Sequence, residues 1–273
     1  MIIRVAAALL AVATPAVAVA AAPQLSAAEQ SQLRQNVELG TLLYRYDQSA
    51  WHVTDAMLEA LPAEAKARIR GYVTTPTPNG LRTTFFGEGG FAFYRRLYSA
   101  VWTGSAITDA WQFKAGEESP LTEGELRLAQ ARKTAIDGMG TLTMCSRDRP
   151  NVIVVPDPGD AALTHVYVMT PQARNDSFPM GGHHRIDVKD GKVVASREFA
   201  KSCLELGSQK IPEGAKAAGM LITHLLDPVP TEIHVFTVFG SGLPLYVSVR
   251  DGRVYSVEVT EGKAQVEVVQ SKR

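Results

Sequence analysis

The chain has 273 residues, 45% of them apolar, with lysine plus arginine and aspartate plus glutamate balanced at 28 each. That length buries a sizeable core as one large domain or two small ones, and the apolar content excludes a disordered chain. The even charge leaves no footprint for nucleic acid or an anionic membrane surface, because such partners need a basic excess.

Residues 1–22 read as a secretory signal. Arg4 gives a charged start, Val5 to Val12 an apolar segment, and Ala16-Val17-Ala18 or Ala20-Ala21-Ala22 small-residue cleavage positions. Thr14 and Pro15 interrupt the apolar run, which is too short to span a bilayer. The expected location is periplasmic or extracellular, with no membrane span in the mature chain. In an oxidising compartment Cys145 and Cys203 read as one disulfide. The chain-entropy model assigns such a closure about 4 kcal/mol at most. The competing reading is a nucleophilic cysteine, which needs a free thiol and a nearby base.

Ser26 and Glu29 have capping-box spacing, and Leu33 and Val37 continue a helix from Ala27 to Leu39 that Gly40 ends. Beyond it Leu42, Tyr44 and Tyr46 alternate, so Leu42 to Trp51 leans towards a strand, although a continued helix accepts the same residues. Pro62 to Ala67 suits a short helix with proline in its first turn. Tyr72 to Thr75 and Leu81 to Phe86 flank Asn79-Gly80 as a hairpin. Gly87-Glu88-Gly89-Gly90 reads as a flexible joint. Phe91, Phe93, Tyr94, Tyr98, Trp102, Trp111 and Phe113, with Arg95 and Arg96 among them, form either core packing, the favoured reading, or a cleft for a planar or anionic ligand.

A helix is expected over Glu123 to Asp137, with Thr122 and Glu125 as capping box, Leu121 and Leu126 as staple, and Gly138 as a left-handed stop. Its Leu126, Ala129, Lys133 and Ile136 face should pack on a sheet. From Val152 onward the chain reads as β: 152–155, 166–170, 184–188, 193–199, 233–238, 245–249 and 254–259 are rich in β-branched residues. Asp190-Gly191 and Asp251-Gly252 are hairpin turns. The connection from Leu204 to Pro230 has room for a short helix around Ala215 to Leu225. Aligning Val166–Thr170 with Ile233–Thr237 brings the two Asp-Gly turns into correspondence, an internal repeat for which chance similarity of short β segments is the rival.

The expected fold is α+β. Residues 23–140 supply helices and a hairpin. Residues 141–273 supply a mostly antiparallel sheet of two similar meanders braced by the disulfide, either as a second domain or continuous with the first. Gly181-Gly182-His183-His184-Arg185, Lys201-Ser202-Cys203 and Pro230-Thr231-Glu232-Ile233-His234-Val235-Phe236 together resemble a family of exported bacterial proteins of unknown function. The resemblance covers about half of the chain, Cys145 to Glu258, and implies export and the disulfide without implying an activity.

Strand alternation places His183, Arg185 and Asp187 on one face and His184, Ile186 and Val188 on the other. Glu232, His234 and Phe236 project together, as do His165, Tyr167 and Met169. If those strands are neighbours, His165, His183, Glu232 and His234 converge, with Arg185 and Asp187 at the edge. Such a patch suits a divalent metal, or an anionic group through Arg185. A solvated sheet face is the favoured alternative, since no His-Glu-x-x-His spacing fixes two ligands. Gly240-Ser241-Gly242 lacks the spacing and helix of a nucleophile elbow, and Gly87 to Gly90 lacks the lysine of a phosphate loop. Cys203 pairs with His183 or His234 as thiol and imidazole only if Cys145 lies elsewhere. No catalytic residue, metal ligand or cofactor is assigned, and ligand and partner stay unspecified. The expectation is an exported, non-enzymatic binding or structural module. The rival is a periplasmic metal-binding protein or hydrolase working from the His/Glu-bearing face.

Overall fold

A computed structural model describes residues 25–89, 93–114, 116–207 and 217–270. The signal segment, Gly90 and Phe91 lie outside the described residues.

Helix α1, Ala27–Ala60, opens on the Ser26/Glu29 capping box. It does not stop at Gly40, and the segment from Leu42 to Trp51 is helix rather than strand. Gly40 sits mid-helix for a packing reason: a Cβ there would come within 2.6 Å of the Glu232 carbonyl oxygen and of Val235 Cβ. The glycine lets a second helix approach closely, which outweighs its poor helix propensity.

After the short α2, Ala63–Ala67, comes an antiparallel meander of β1, Ile69–Thr77, β2, Gly80–Gly89, β3, Phe93–Trp102, and β4, Ile107–Gln112. The Asn79-Gly80 hairpin is present. Gly87-Glu88-Gly89 is not a joint, because it pairs with Phe93 to Arg95 as the end of β2. The aromatic segment divides between burial, as at Tyr98, and exposure, as at Trp111.

Helix α3, Glu123–Asp137, carries its capping box, but Gly138 ends it with right-handed dihedrals, not left-handed ones. Its buried face is Leu128, Ala129, Ala131 and Ala135, with Leu126 and Ile136 at the margin. Those residues cover one side of a central antiparallel sheet, in spatial order β5, Asn151–Pro156, β6, Leu163–Met169, β8, His184–Lys189, and β9, Lys192–Glu198. Strands β5 and β6 are buried on both faces, so Val152 to Val155 of β5 and Val166 to Met169 of β6 read as apolar runs. Asp190 and Gly191 both take positive φ in the turn from β8 to β9, as a mirror-image turn requires. A two-stranded ribbon joins β7, Ser177–Pro179, to β10, Glu205–Gly207. Just before β10, Cys203 is bonded to Cys145 with Cα atoms 5.4 Å apart.

The largest correction concerns Ile233–Val238. This segment is helix α4, Glu232–Ser241, not a strand. It connects β11, Met220–His224, to β12, Leu245–Val249, and those two strands are parallel. Parallel neighbours need a crossover, and a helix buried between a sheet and α1 must be apolar on all sides, which makes its sequence look like a strand. The match of 166–170 with 233–237 therefore fails, since one partner is strand and the other helix. Met220–His224 is a strand where a short helix was expected. The sheet is completed by β13, Val254–Thr260, expected as a strand, and by β14, Lys263–Gln270, a strand the sequence reading passed over although Glu261-Gly262 supplies its turn. The α+β class and the mostly antiparallel sheets stand as expected. Residues of α1, the central sheet, α4 and the last sheet share one apolar core.

Candidate functional site

The cross-strand register of β6 and β8 sets Tyr167 opposite Arg185 and His165 opposite Asp187. All four face α1 and α4, with His184, Ile186 and Val188 on the α3 side, as period-two alternation expects. Glu232 arrives from the first turn of α4. Arg185 donates to its carboxylate at 2.5 Å, and Tyr167 O–H donates to the same oxygen at 3.4 Å. Arg185 also lies 3.0 Å from Asp187. His165 joins two carboxylates, with Nδ1 2.7 Å from Asp187 and Nε2 2.9 Å from Asp157. Burial pushes the Asp187 carboxyl up, but the His165 hydrogen bond and the Arg185 charge outweigh it and hold it below the ordinary range. This cluster is an internal brace between the sheet and α4, and its charges are met inside the protein.

His183 and His234 stand apart from it. The Thr170 backbone N–H donates to His183 Nδ1 at 3.2 Å, and Nε2–H donates to the Pro179 carbonyl at 2.7 Å. Burial lowers its pKa to about 4. His234 occupies the third position of α4, where its Nδ1 accepts from the Thr231 backbone N–H at 2.9 Å. An imidazole thus fills the place that glutamate or glutamine takes in an ordinary capping box. Burial, joined by the charge of His224, lowers its pKa to about 3. The expected convergence of His165, His183, Glu232 and His234 therefore resolves into three separate hydrogen-bonded arrangements. Among the described residues, no group of three or more His, Cys, Asp or Glu side chains is placed to hold a metal ion.

A cavity opens elsewhere, between α1, α4 and the ends of β5 and β6. It encloses about 230 Å³. Tyr44, Asp47, Gln48 and Trp51 line it from one face of α1, at the spacing that puts residues side by side on a helix. Asn151 and Ile153 of β5, Met169 and Thr170 at the end of β6, Phe178, His183, and Phe236 and Thr237 of α4 form most of the remaining wall, with Gln172, Pro179 and Gly240 beside them. The rings are held in place. Tyr44 stacks on Phe239 at 4.9 Å and meets Phe236 edge-on at 6.4 Å. Trp51, 57% exposed at the rim, stacks on His52, which stacks on Trp102 at 4.0 Å.

The polar lining is of two kinds. Thr170 Oγ1 donates to the carbonyls of Gly181 and Gly182, Thr237 Oγ1 donates to the Ile233 carbonyl, and both His183 nitrogens are engaged. Asp47 forms no ion pair with any described residue. Burial pushes its carboxyl up to about 6, against a hydrogen bond with Gln48 that pulls it down. Among the described residues, no lysine or arginine lines the cavity. Sequence reasoning missed Asp47 because the strand reading of 42–51 put residues 44, 46 and 48 on one side and 47 and 51 on the other. A helical reading would have gathered Tyr44, Asp47, Gln48 and Trp51 onto one stripe. Compared with known protein families, curated proteins and solved structures, the chain matches none.

Proposed function

We propose that the protein is an exported, non-enzymatic module that binds a small molecule in the cavity between α1, α4 and the central sheet. The observation that carries this reading is the pairing of fixed aromatic walls with a carboxylate that no described residue neutralises, the usual composition of a ligand pocket. Turnover lacks support, because both nitrogens of His183 and the hydroxyls of Thr170 and Thr237 are committed to internal hydrogen bonds, which leaves Asp47 without an activated partner in the cavity. The histidine and glutamate side chains that suited a metal-binding or hydrolytic face are spent on bracing and capping. Export is supported by the apolar segment before Ala22, by the disulfide and by the resemblance to exported bacterial proteins. No described helix is long and apolar enough to cross a membrane.

Gly240 offers a direct test. It lies exposed at the rim of the cavity, and a Cβ there meets nothing within 4 Å. Gly240→Phe should fold normally and plug the mouth. In a fluorine-NMR screen of small fragments, compounds that bind the wild type should lose binding to this variant. Fragments that bind both equally, or a wild type that binds none, would refute the reading.

A further inference from the structure

The three buried carboxylates among the described residues, Glu125, Asp187 and Glu232, each meet an arginine of the protein: Arg96, Arg185 and Arg185 respectively. Asp47, half-buried at the wall of a cavity that no described cationic side chain lines, has no such partner. A carboxylate withdrawn from water and left without a counter-charge is costly unless something else supplies one. Around it stand Tyr44, Trp51, Phe178 and Phe236, whose ring faces are electron-rich and attract a cation as the carboxylate does.

We propose that the ligand is a small organic cation, an amine or quaternary ammonium with an apolar framework, whose charge sits at Asp47 and whose carbon surface rests on Tyr44, Trp51 and Phe236. This inference rests on the cavity being a binding site. An anionic ligand would meet a negative wall without a single described lysine or arginine. A neutral polyol would find partners in Asn151 and Gln172 but would leave the Asp47 charge uncompensated.

Recognition of this kind depends on pH. The groups that share the neighbourhood of Asp47 are Tyr44 on α1, Tyr72 on β1 and His183 before β8. Burial raises both tyrosines, Tyr72 to about 12, and keeps His183 neutral down to about pH 4. Arg45 turns to the neighbouring groove beside Trp102, and α4, β5 and β6 bring no titratable side chain to the cavity. Among the side chains that line the cavity, Asp47 is then the group that changes charge between pH 5 and 7.5, with His52 outside the lining, stacked behind Trp51. Its charge is mostly lost at pH 5, so cation affinity should fall about tenfold over that interval.

The test uses isothermal titration of the mature, disulfide-intact protein with three probes: benzyltrimethylammonium, neutral benzyl alcohol and N-acetylglucosamine. Wild type, Asp47→Asn and Gly240→Phe are compared at pH 7.5, and wild type again at pH 5, with melting curves confirming that each variant is folded. The cation should bind wild type, lose at least tenfold in Asp47→Asn, weaken at pH 5 and fail to bind Gly240→Phe, while Asp47→Asn costs benzyl alcohol less than it costs the cation. Equal cation affinity in wild type and Asp47→Asn overturns the proposal. So does binding of only the neutral probes; if Gly240→Phe abolishes that binding, the cavity reading survives without its cation. If no probe binds wild type, both fall.

Discussion

Glu232 and Asp47 are both carboxylates carried by helices towards the same central sheet, and they are treated in opposite ways. Glu232, at the start of α4, has a fully buried side chain that receives the Arg185 guanidinium and the Tyr167 hydroxyl. Asp47, midway along α1, lines an open cavity with Gln48 as its hydrogen-bond partner and has no cation beside it. The difference separates a charge that holds the fold together from one that is left for something outside the fold. Acidity and burial alone would not have told them apart; the presence or absence of an internal partner does.

The largest effect is expected where the internal partner is removed. Glu232→Gln keeps the shape of the side chain but leaves the half-enclosed Arg185 with only Asp187 for compensation. It should cost about 3 kcal/mol in urea unfolding. A loss below about 1 kcal/mol would mean that the Arg185 pair is dispensable and that the contrast with Asp47 is not one of structural against functional charge.

Acidification should act next most strongly. His183 and His234 are held neutral in the fold, with pKa values of about 4 and about 3, below the free imidazole value. The unfolded chain therefore binds more protons below about pH 6.5, and stability must fall as pH drops through that point. Asp47 works the other way. Its folded value of about 6 lies above that of a free aspartate, so the fold takes up the proton first and gains relative stability as pH falls through 6. The two histidines outweigh the one aspartate, and a net loss of about 2 kcal/mol between pH 7.5 and 5 is expected. Flat stability across that range, measured by denaturant titration, would contradict the hydrogen-bond roles assigned to both rings.

The smallest effect has the opposite sign. Asp47→Asn at pH 7.5 removes a partly desolvated charge and should stabilise the free protein by about 1 kcal/mol, a figure reduced for the solvent that still reaches the side chain. Gaining stability while losing ligand is the mark of a residue kept for binding. A destabilised Asp47→Asn would place Asp47 with Glu232, among the braces.

Where local chemistry decides local structure, the sequence was a reliable guide. Ser26 with Glu29 and Thr122 with Glu125 start their helices as their spacing requires, because a capping box is complete within four residues. Asp190-Gly191 turns its hairpin for an equally local reason. Gly40, Leu42 to Trp51 and Ile233 to Val238 were misread because their conformations answer to distant partners. Gly40 is mid-helix because α4 presses against it, and Ile233 to Val238 is helical because β11 and β12 run parallel. The candidate site suffered from the same cause. Alternation put Arg185 and Asp187 on one face and His165 with Tyr167 on another strand, and the register of β6 and β8 brings these together. His183, grouped with Arg185, stands apart, His234 was tied to a strand that does not exist and Asp47 was hidden by one.

The sequence by itself determined the disulfide partners, the α+β class, the capped helix starts and the inward face of β8, since each depends on residue type and short-range periodicity. Only the tertiary structure decided that α1 runs unbroken past Gly40, that an apolar β-branched run becomes a crossover helix, and that four residues of α1 face a cavity. The physical reason is common to all three. Burial against a partner far along the chain contributes more than local propensity, and no window of neighbouring residues contains that partner.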